Sequence, residues 1–225
     1  CGTGNQILQS QRYKNVQVTA IDLSLSSLAF AQRKINELDI NNVELVQMDL
    51  LEISLLEKKF DIIECSGVLH HMKDPIKGLK ALLSVSNKHS FLNLGLYSEL
   101  ARKDIRHARE YIANYNLEAS HDGIRDFRES VFSGNVEQIK NLKNWGNFYT
   151  TSECRDLCFH AQEHRFTIKQ IKETLKSNEL DFLGFSLPQP IKSVYGKYFP
   201  EDKTQTNLQN WAQFEEKHPN TFQGM

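Results

Sequence analysis

Apolar residues recur with two alternating periods through the first 96 positions. Val16 to Ile21 is a short β-branched run that closes on Asp22. Leu28, Ala31, Ile35 and Leu38 then return at three-to-four spacing, which predicts a helix over 24–38. Asn41-Asn42 marks a turn, and Val43 to Met48 reads as the next strand, ending at Asp49. Phe60 to Cys65 is a further strand, closing on Ser66-Gly67. Pro75 stands where a first helical turn accepts it, so 75–85 is predicted helical, and Phe91 to Leu96 is again a strand. Strand, helix, strand, helix at this spacing predicts an α/β domain with a parallel sheet and crossover helices.

Beyond residue 96 the pattern becomes mostly helical. Leu100, Ala108, Tyr111, Ile112 and Tyr115 trace one face of a helix over 98–117. Residues 124–132 and 136–142 also read as helical, separated by Ser133-Gly134-Asn135, and 145–151 as a loop. Thr167 is positioned to cap a helix reaching Leu180. Asp181 to Phe185 reads as a short strand, 188–206 as irregular, and 208–217 as a last helix. The organisation predicted is an α/β core over 1–96 and a largely helical segment over 97–225.

Composition narrows the classes. With 40% hydrophobic and 24% charged residues the 225-residue chain has an ordinary globular make-up. A formal net charge of -1 gives no electrostatic reason to expect nucleic acid as a partner. No stretch approaches the roughly 18 to 20 apolar residues that cross a bilayer, so no membrane partner is expected. Four cysteines, at 1, 65, 154 and 158, are too few for a disulfide framework and point to a reducing, cytoplasmic setting.

The chemistry concentrates at the ends of the predicted strands, the edge where open parallel sheets bind ligands. Cys1-Gly2-Thr3-Gly4 is a glycine turn that opens a helix. Asp22 ends the next strand, where a carboxylate accepts both hydroxyls of a ribose, and Asp49 ends the one after. A Gly-x-Gly pair with a distant Asp also fits NAD, and is equally compatible with a plain structural turn. Two details favour a cofactor without phosphates: Asp49 is no part of the dinucleotide fingerprint, and Asn5-Gln6-Ile7 follow Gly4 with no third glycine.

Taken together, Cys1-Gly2-Thr3-Gly4-Asn5, Asp22-Leu23-Ser24, Asp49-Leu50, Phe60-Asp61-Ile62-Ile63 and Val68-Leu69-His70-His71-Met72 resemble the ordered motifs of class I S-adenosylmethionine-dependent methyltransferases. The segments 95–102, 154–160 and 162–167 resemble a bacterial subgroup often joined to tetratricopeptide repeats, which would make such repeats fused or partner domains. The resemblance implies a Rossmann-like, doubly wound, mostly parallel sheet with a helical insertion and C-terminal cap. It implies S-adenosyl-L-methionine as cofactor, with Gly2 and Gly4 near its methionine part, Asp22 at the ribose, Asp49 and Leu50 at adenine, and Leu23 among the cofactor-binding residues. Cys65 and Ser66, with the Gly67 turn, would border the transferable methyl. The family's first acidic residue and glycine would precede Cys1, and its last strand would begin near Gly224-Met225. The expectation is therefore a chain without its first and last strands, whose sheet divides into two halves and which folds poorly alone. Asn87-Lys88-His89-Ser90 stands where a Pro-Gly-Gly turn is common in the family.

Methyl transfer from a sulfonium needs positioning and exclusion of water more than covalent help. A general base adds rate only where the acceptor must lose a proton. His70 or His71 is a candidate base, the alternative being that the pair packs the following turn. Tyr97 and Glu99, after the last parallel strand, are candidates to contact an acceptor, a small molecule or sugar ahead of protein. Arg102, Arg106 and Arg109 share a helix face that reads as solvated and charged, or as a contact for an anionic acceptor. His160-Ala161-Gln162-Glu163-His164 fits a zinc-hydrolase spacing but lacks the continuous helix that motif requires, so no metal is expected. Cys154 and Cys158 read as packed thiols. Residues 156–165 read as an acceptor lid or as an ion-paired structural segment. The competing functions are an NAD(P)-dependent oxidoreductase and a non-catalytic Rossmann-like interaction module.

Overall fold

The structure, a computed structural model, describes residues 1–160 and 162–223. The chain divides into two units, Cys1–Gly95 and Leu96–Met225.

The first unit is built from parallel strands joined by helices. Helix α1 (Asn5–Ser10) leads to β1 (Val18–Asp22), α2 (Leu25–Glu37) and β2 (Val43–Gln47). A 3-10 segment over Leu50–Leu56 precedes β3 (Phe60–Ser66), and α3 (Pro75–Ser84) precedes β4 (Ser86–Gly95). Pairing is parallel throughout: β1 aligns Asp22 with Gln47 on β2, and β3 aligns Ser66 with Gly95 on β4. Among the described residues the two pairs form separate two-stranded sheets, so strands on each retain unpaired backbone edges. That matches the division into halves predicted from the sequence.

Local chemistry explains the element limits. Ser24 caps α2 by accepting the Ser27 amide at 3.2 Å, and Asp74 caps α3 with Pro75 in the first turn. Leu28, Ala31 and Ile35 form the buried stripe of α2, and Ala31 and Ile35 pack with Ile7 and Ala20. Residues 87–90, expected as a turn before the last parallel strand, lie inside β4. There the register shifts between Phe60 and Ile62, and Ser90 closes the bulge by donating to the Phe60 carbonyl at 2.5 Å.

The second unit contains α4 (Lys103–Asn114), α5 (His121–Ser133), α6 (Thr151–Cys158), α7 (Ile168–Ser177), α8 (Gln189–Tyr198) and α9 (Leu208–Lys217). Among the described residues it has two apolar centres. One gathers Ile105, Ile124, Phe127, Val131, Leu142 and Phe148. The other is aromatic, around Tyr195, Trp211, Phe214 and Phe222, with Tyr195 stacked on Trp211 at 3.8 Å between ring centroids. No helix among the described residues is long and apolar enough to cross a membrane.

The structure corrects several expectations in this unit. The helix predicted from 98 begins only at Lys103, because Ser98 accepts the Ala101 amide at 3.0 Å and holds a turn. Residues 136–142 give a 3-10 segment over Lys140–Asn144 rather than an α-helix. Residues 181–185 form no strand; Phe182 and Phe185 instead pack into the aromatic centre. The segment expected to be irregular contains α8, whose second helical position is Pro190. Helix α6 has no counterpart among the predicted elements, although Thr150 and Glu153 carry its N-terminal signature, with the Thr150 hydroxyl accepting the Glu153 amide at 3.1 Å.

Candidate active site

At the end of β1, backbone amides converge on one carboxylate. Asp22 is half-buried, and its carboxylate accepts the Ser24 amide at 2.9 Å and the Gly2 amide at 2.7 Å. Burial by itself would raise the Asp22 pKa, but these donors outweigh it and hold the group below its ordinary value. A carboxylate offers about four lone-pair sites, so the anchored group retains capacity toward further hydroxyls.

The two glycines do different work. Gly4 sits at φ 95°, and a Cβ there would lie 3.2 Å from the Ala31 Cβ on α2. It is a packing glycine that seats the start of α1. Gly2, at φ 53°, is exposed and has nothing within 4 Å of where a Cβ would stand. Its space is open, and its amide is already committed to Asp22. Leu23, immediately after Asp22, leaves 66% of its surface exposed, an apolar side chain at a strand end with no core to join.

At the end of β2, Asp49 accepts the Leu51 amide at 2.9 Å and so starts the 3-10 segment; Leu50 beside it is half-buried. At the end of β3, Cys65 is buried and Ser66 exposed. Burial pushes the Cys65 thiol up to about 11, against the opposing pull of the Leu69 amide, so it stays a neutral wall. Gly95, opposite Ser66, cannot carry a side chain, since a Cβ would come within 2.7 Å of the Ser66 hydroxyl oxygen. Gly67 then turns the chain at φ 75° into a 3-10 turn over Leu69–His71. His70 is buried at 1% exposure and packs edge-on to His71, which is half-buried and is the member of the pair that reaches solvent.

Tyr97 and Glu99 belong to the second unit, where an ion-pair network surrounds them. Glu163 grips Arg102 with both oxygens, at 3.1 Å from Nε and 2.7 Å from Nη2, and the two side chains are 0% and 5% exposed. The Arg102 guanidinium lies 3.6 Å over the Tyr97 ring. Burial is the main cause that raises the Tyr97 phenol above its ordinary value, so it is held in the neutral form. Glu99 pairs with Arg165 at 3.0 Å and Arg106 at 3.4 Å. Arg102 is thus withdrawn from the solvated face predicted for it.

The 160–165 segment contributes to this network rather than to a helical metal motif. Helix α6 ends at Cys158, Glu163 is committed to Arg102, and Ala161 lies outside the described residues. His160 meets the Gln162 carbonyl through Nδ1 at 2.9 Å, and His164 meets the Gln162 side chain at 3.1 Å. The polar density of this segment is visible in the sequence. The Arg102–Glu163 pairing is not, because the partners are 61 positions apart with no spacing rule to join them.

Residues 1–88 match the methyltransferase-domain family. The chain is 32% identical over 198 residues to an uncharacterised protein of Synechococcus sp., covering 83% of this chain and 47% of that protein. It superposes on PKMT2 from Rickettsia typhi in complex with AdoHcy with TM-score 0.71 at 20% identity, over 98% of this chain and 46% of that one. A second structure of PKMT2 gives TM-score 0.71 at 17% identity, over 97% and 45%. The chain therefore spans about half the length of these relatives. At such identities the structural likeness establishes the fold, an α/β Rossmann-like arrangement.

Proposed function

We propose that this chain, whose residues 1–88 match the methyltransferase-domain family, binds S-adenosyl-L-methionine along the strand ends and transfers its methyl group to an acceptor. The observation that carries the reading is the Asp22–Gly2 arrangement: a carboxylate anchored by two backbone amides beside a glycine whose space is open. A ribose diol suits the first and close approach of a cofactor suits the second. The bound cofactor supplies a methyl group already activated by a sulfonium.

This chain's own residues then have limited tasks. Asp22 and the exposed Leu23 hold the ribose side, while Asp49 and Leu50 present an acid and an apolar surface to adenine. Cys65, kept neutral by burial, and Ser66 border the reacting side without competing as nucleophiles. His71, half-buried, takes a proton at a ring nitrogen where the acceptor must lose one. Tyr97 and Glu99 contact the acceptor, for which we retain a small molecule or sugar as the class to test first.

The test is calorimetric titration of the chain with S-adenosylhomocysteine, using NAD as control. A panel of hydroxyl- and amine-bearing small molecules, sugars and a lysine-rich protein is then supplied with methyl-tritiated S-adenosylmethionine. Binding of S-adenosylhomocysteine alone, with label on one acceptor class, is the expected result. Binding of NAD instead would overturn the proposal in favour of an oxidoreductase.

A further inference from the structure

We infer that Glu163 is a positioning residue. It holds Arg102 over the Tyr97 ring and, through Arg165, fixes Glu99, so that both residues are presented in one arrangement. The inference rests on the proposed acceptor role of Tyr97 and Glu99.

Backbone pairing brings the parts together. The Phe166 amide donates to the Tyr97 carbonyl at 2.8 Å, and the Glu99 amide donates to the Phe166 carbonyl at 3.1 Å. This single parallel bridge seats Phe166 against Ser98, between Tyr97 and Glu99. Glu163 then receives Arg102 through two donors, and Arg165 approaches the same carboxylate at 3.6 Å while holding Glu99 at 3.0 Å. The Arg102 Nη2 also donates to the Leu157 carbonyl at 3.5 Å, tying the plane of the guanidinium to α6.

Stability alone does not call for such a group. A fully buried ion pair loses solvation on both partners, and an apolar pair of similar volume is commonly as stable or more so. An apolar pair cannot reproduce a cation fixed by a forked carboxylate over an aromatic ring. A lysine in place of Arg102 would keep the charge and lose both the fork and the plane. One buried carboxylate therefore sets the orientation of Tyr97 directly through Arg102 and of Glu99 through Arg165.

The experiment uses the full chain labelled with 3-fluorotyrosine, the Tyr97 fluorine resonance being assigned by its loss in Tyr97→Phe. The double variant Arg102→Met/Glu163→Leu is compared with wild type. If Glu163 positions Tyr97, the double variant melts within a few degrees of wild type and binds S-adenosylhomocysteine unchanged. Its Tyr97 resonance nonetheless shifts or broadens, as does that of Arg102→Lys. A Tyr97 resonance with wild-type position and width in these variants overturns the inference. Should the double variant fail to fold, Glu163→Gln, which keeps the volume and one acceptor, gives the same readout: a moved resonance upholds the inference and an unmoved one overturns it. The acceptor role is tested apart from this, by tritiated-methyl transfer to the panel in Tyr97→Phe. Unchanged transfer there, with a moved resonance in the double variant, would refute the acceptor role and uphold the positioning of the ring.

Discussion

Replacing Gly4 with alanine tests the division of labour in the glycine turn. Two costs add in that substitution. The backbone sits at φ 95°, beyond the ordinary left-handed well, where an L side chain costs about 1–2 kcal/mol. The new methyl would lie 3.2 Å from the Ala31 Cβ and 3.5 Å from its Cα. Carbon pairs prefer about 3.5–4.0 Å, and α2 backbone cannot swing aside like a flexible side chain. Overpacking of that kind costs about 1–3 kcal/mol, so the total is about 2–5 kcal/mol. Gly2→Ala carries only the conformational cost, because nothing stands within 4 Å of its Cβ position. Urea denaturation followed by circular dichroism separates the two. With a slope of about 1–3 kcal/mol/M, a loss of about 3 kcal/mol moves the Gly4→Ala midpoint down by about 1–3 M. Gly2→Ala should move it by less, and should show the larger loss of S-adenosylhomocysteine affinity relative to its loss of stability. A Gly4→Ala midpoint no lower than that of Gly2→Ala would refute the packing argument.

Two further outcomes follow from the site's electrostatics. Asp22 is held below its ordinary value despite burial, so the fold favours its ionised form. That stabilisation is present above its unfolded pKa of about 3.9 and is lost as pH falls through the lower folded value. Melting temperature against pH should therefore have a shallower acid limb in Asp22→Asn between about pH 5 and pH 2, and superimposable limbs would contradict the assignment. Cys65, buried and with its thiol pushed up to about 11, should resist iodoacetamide at pH 8 in the native chain and react in urea, as followed by peptide mass mapping. Labelling of Cys65 at equal rates in both conditions would show that the end of β3 is open.

Much of the first unit is legible in the sequence because its signals are local. Asp22-Leu23-Ser24 shows how: the carboxylate accepts an amide two residues on, and Ser24 accepts one three residues on. Both bonds lie within reach of a sequence pattern. The second unit is less legible, for identifiable reasons. Pro188 and Pro190 look like breakers until the chain places Pro190 in a first turn, where its missing amide costs nothing. Asp181 to Phe185 has strand composition, but Phe185 is drawn onto Trp211 and Phe222, which lie far along the chain, and Phe182 packs on Phe185. The residues 98–102 have helical periodicity, yet their amides are taken by Ser98 and by the bridge to Phe166.

The sequence by itself determined the strand–helix alternation and the placing of Asp22, Asn41-Asn42, Asp49 and Ser66-Gly67 at element ends. Those features depend on side-chain periodicity and on hydrogen bonds closed within a few residues. Only the tertiary structure decided that Gly4 must stay bare against Ala31, that Gly2 faces open space, and that Arg102 is buried under Glu163 rather than solvated. Each of these depends on which distant segment arrives at a position. For Arg102 the deciding fact is desolvation: a guanidinium leaves water only where a forked acceptor and an aromatic face are both already in place.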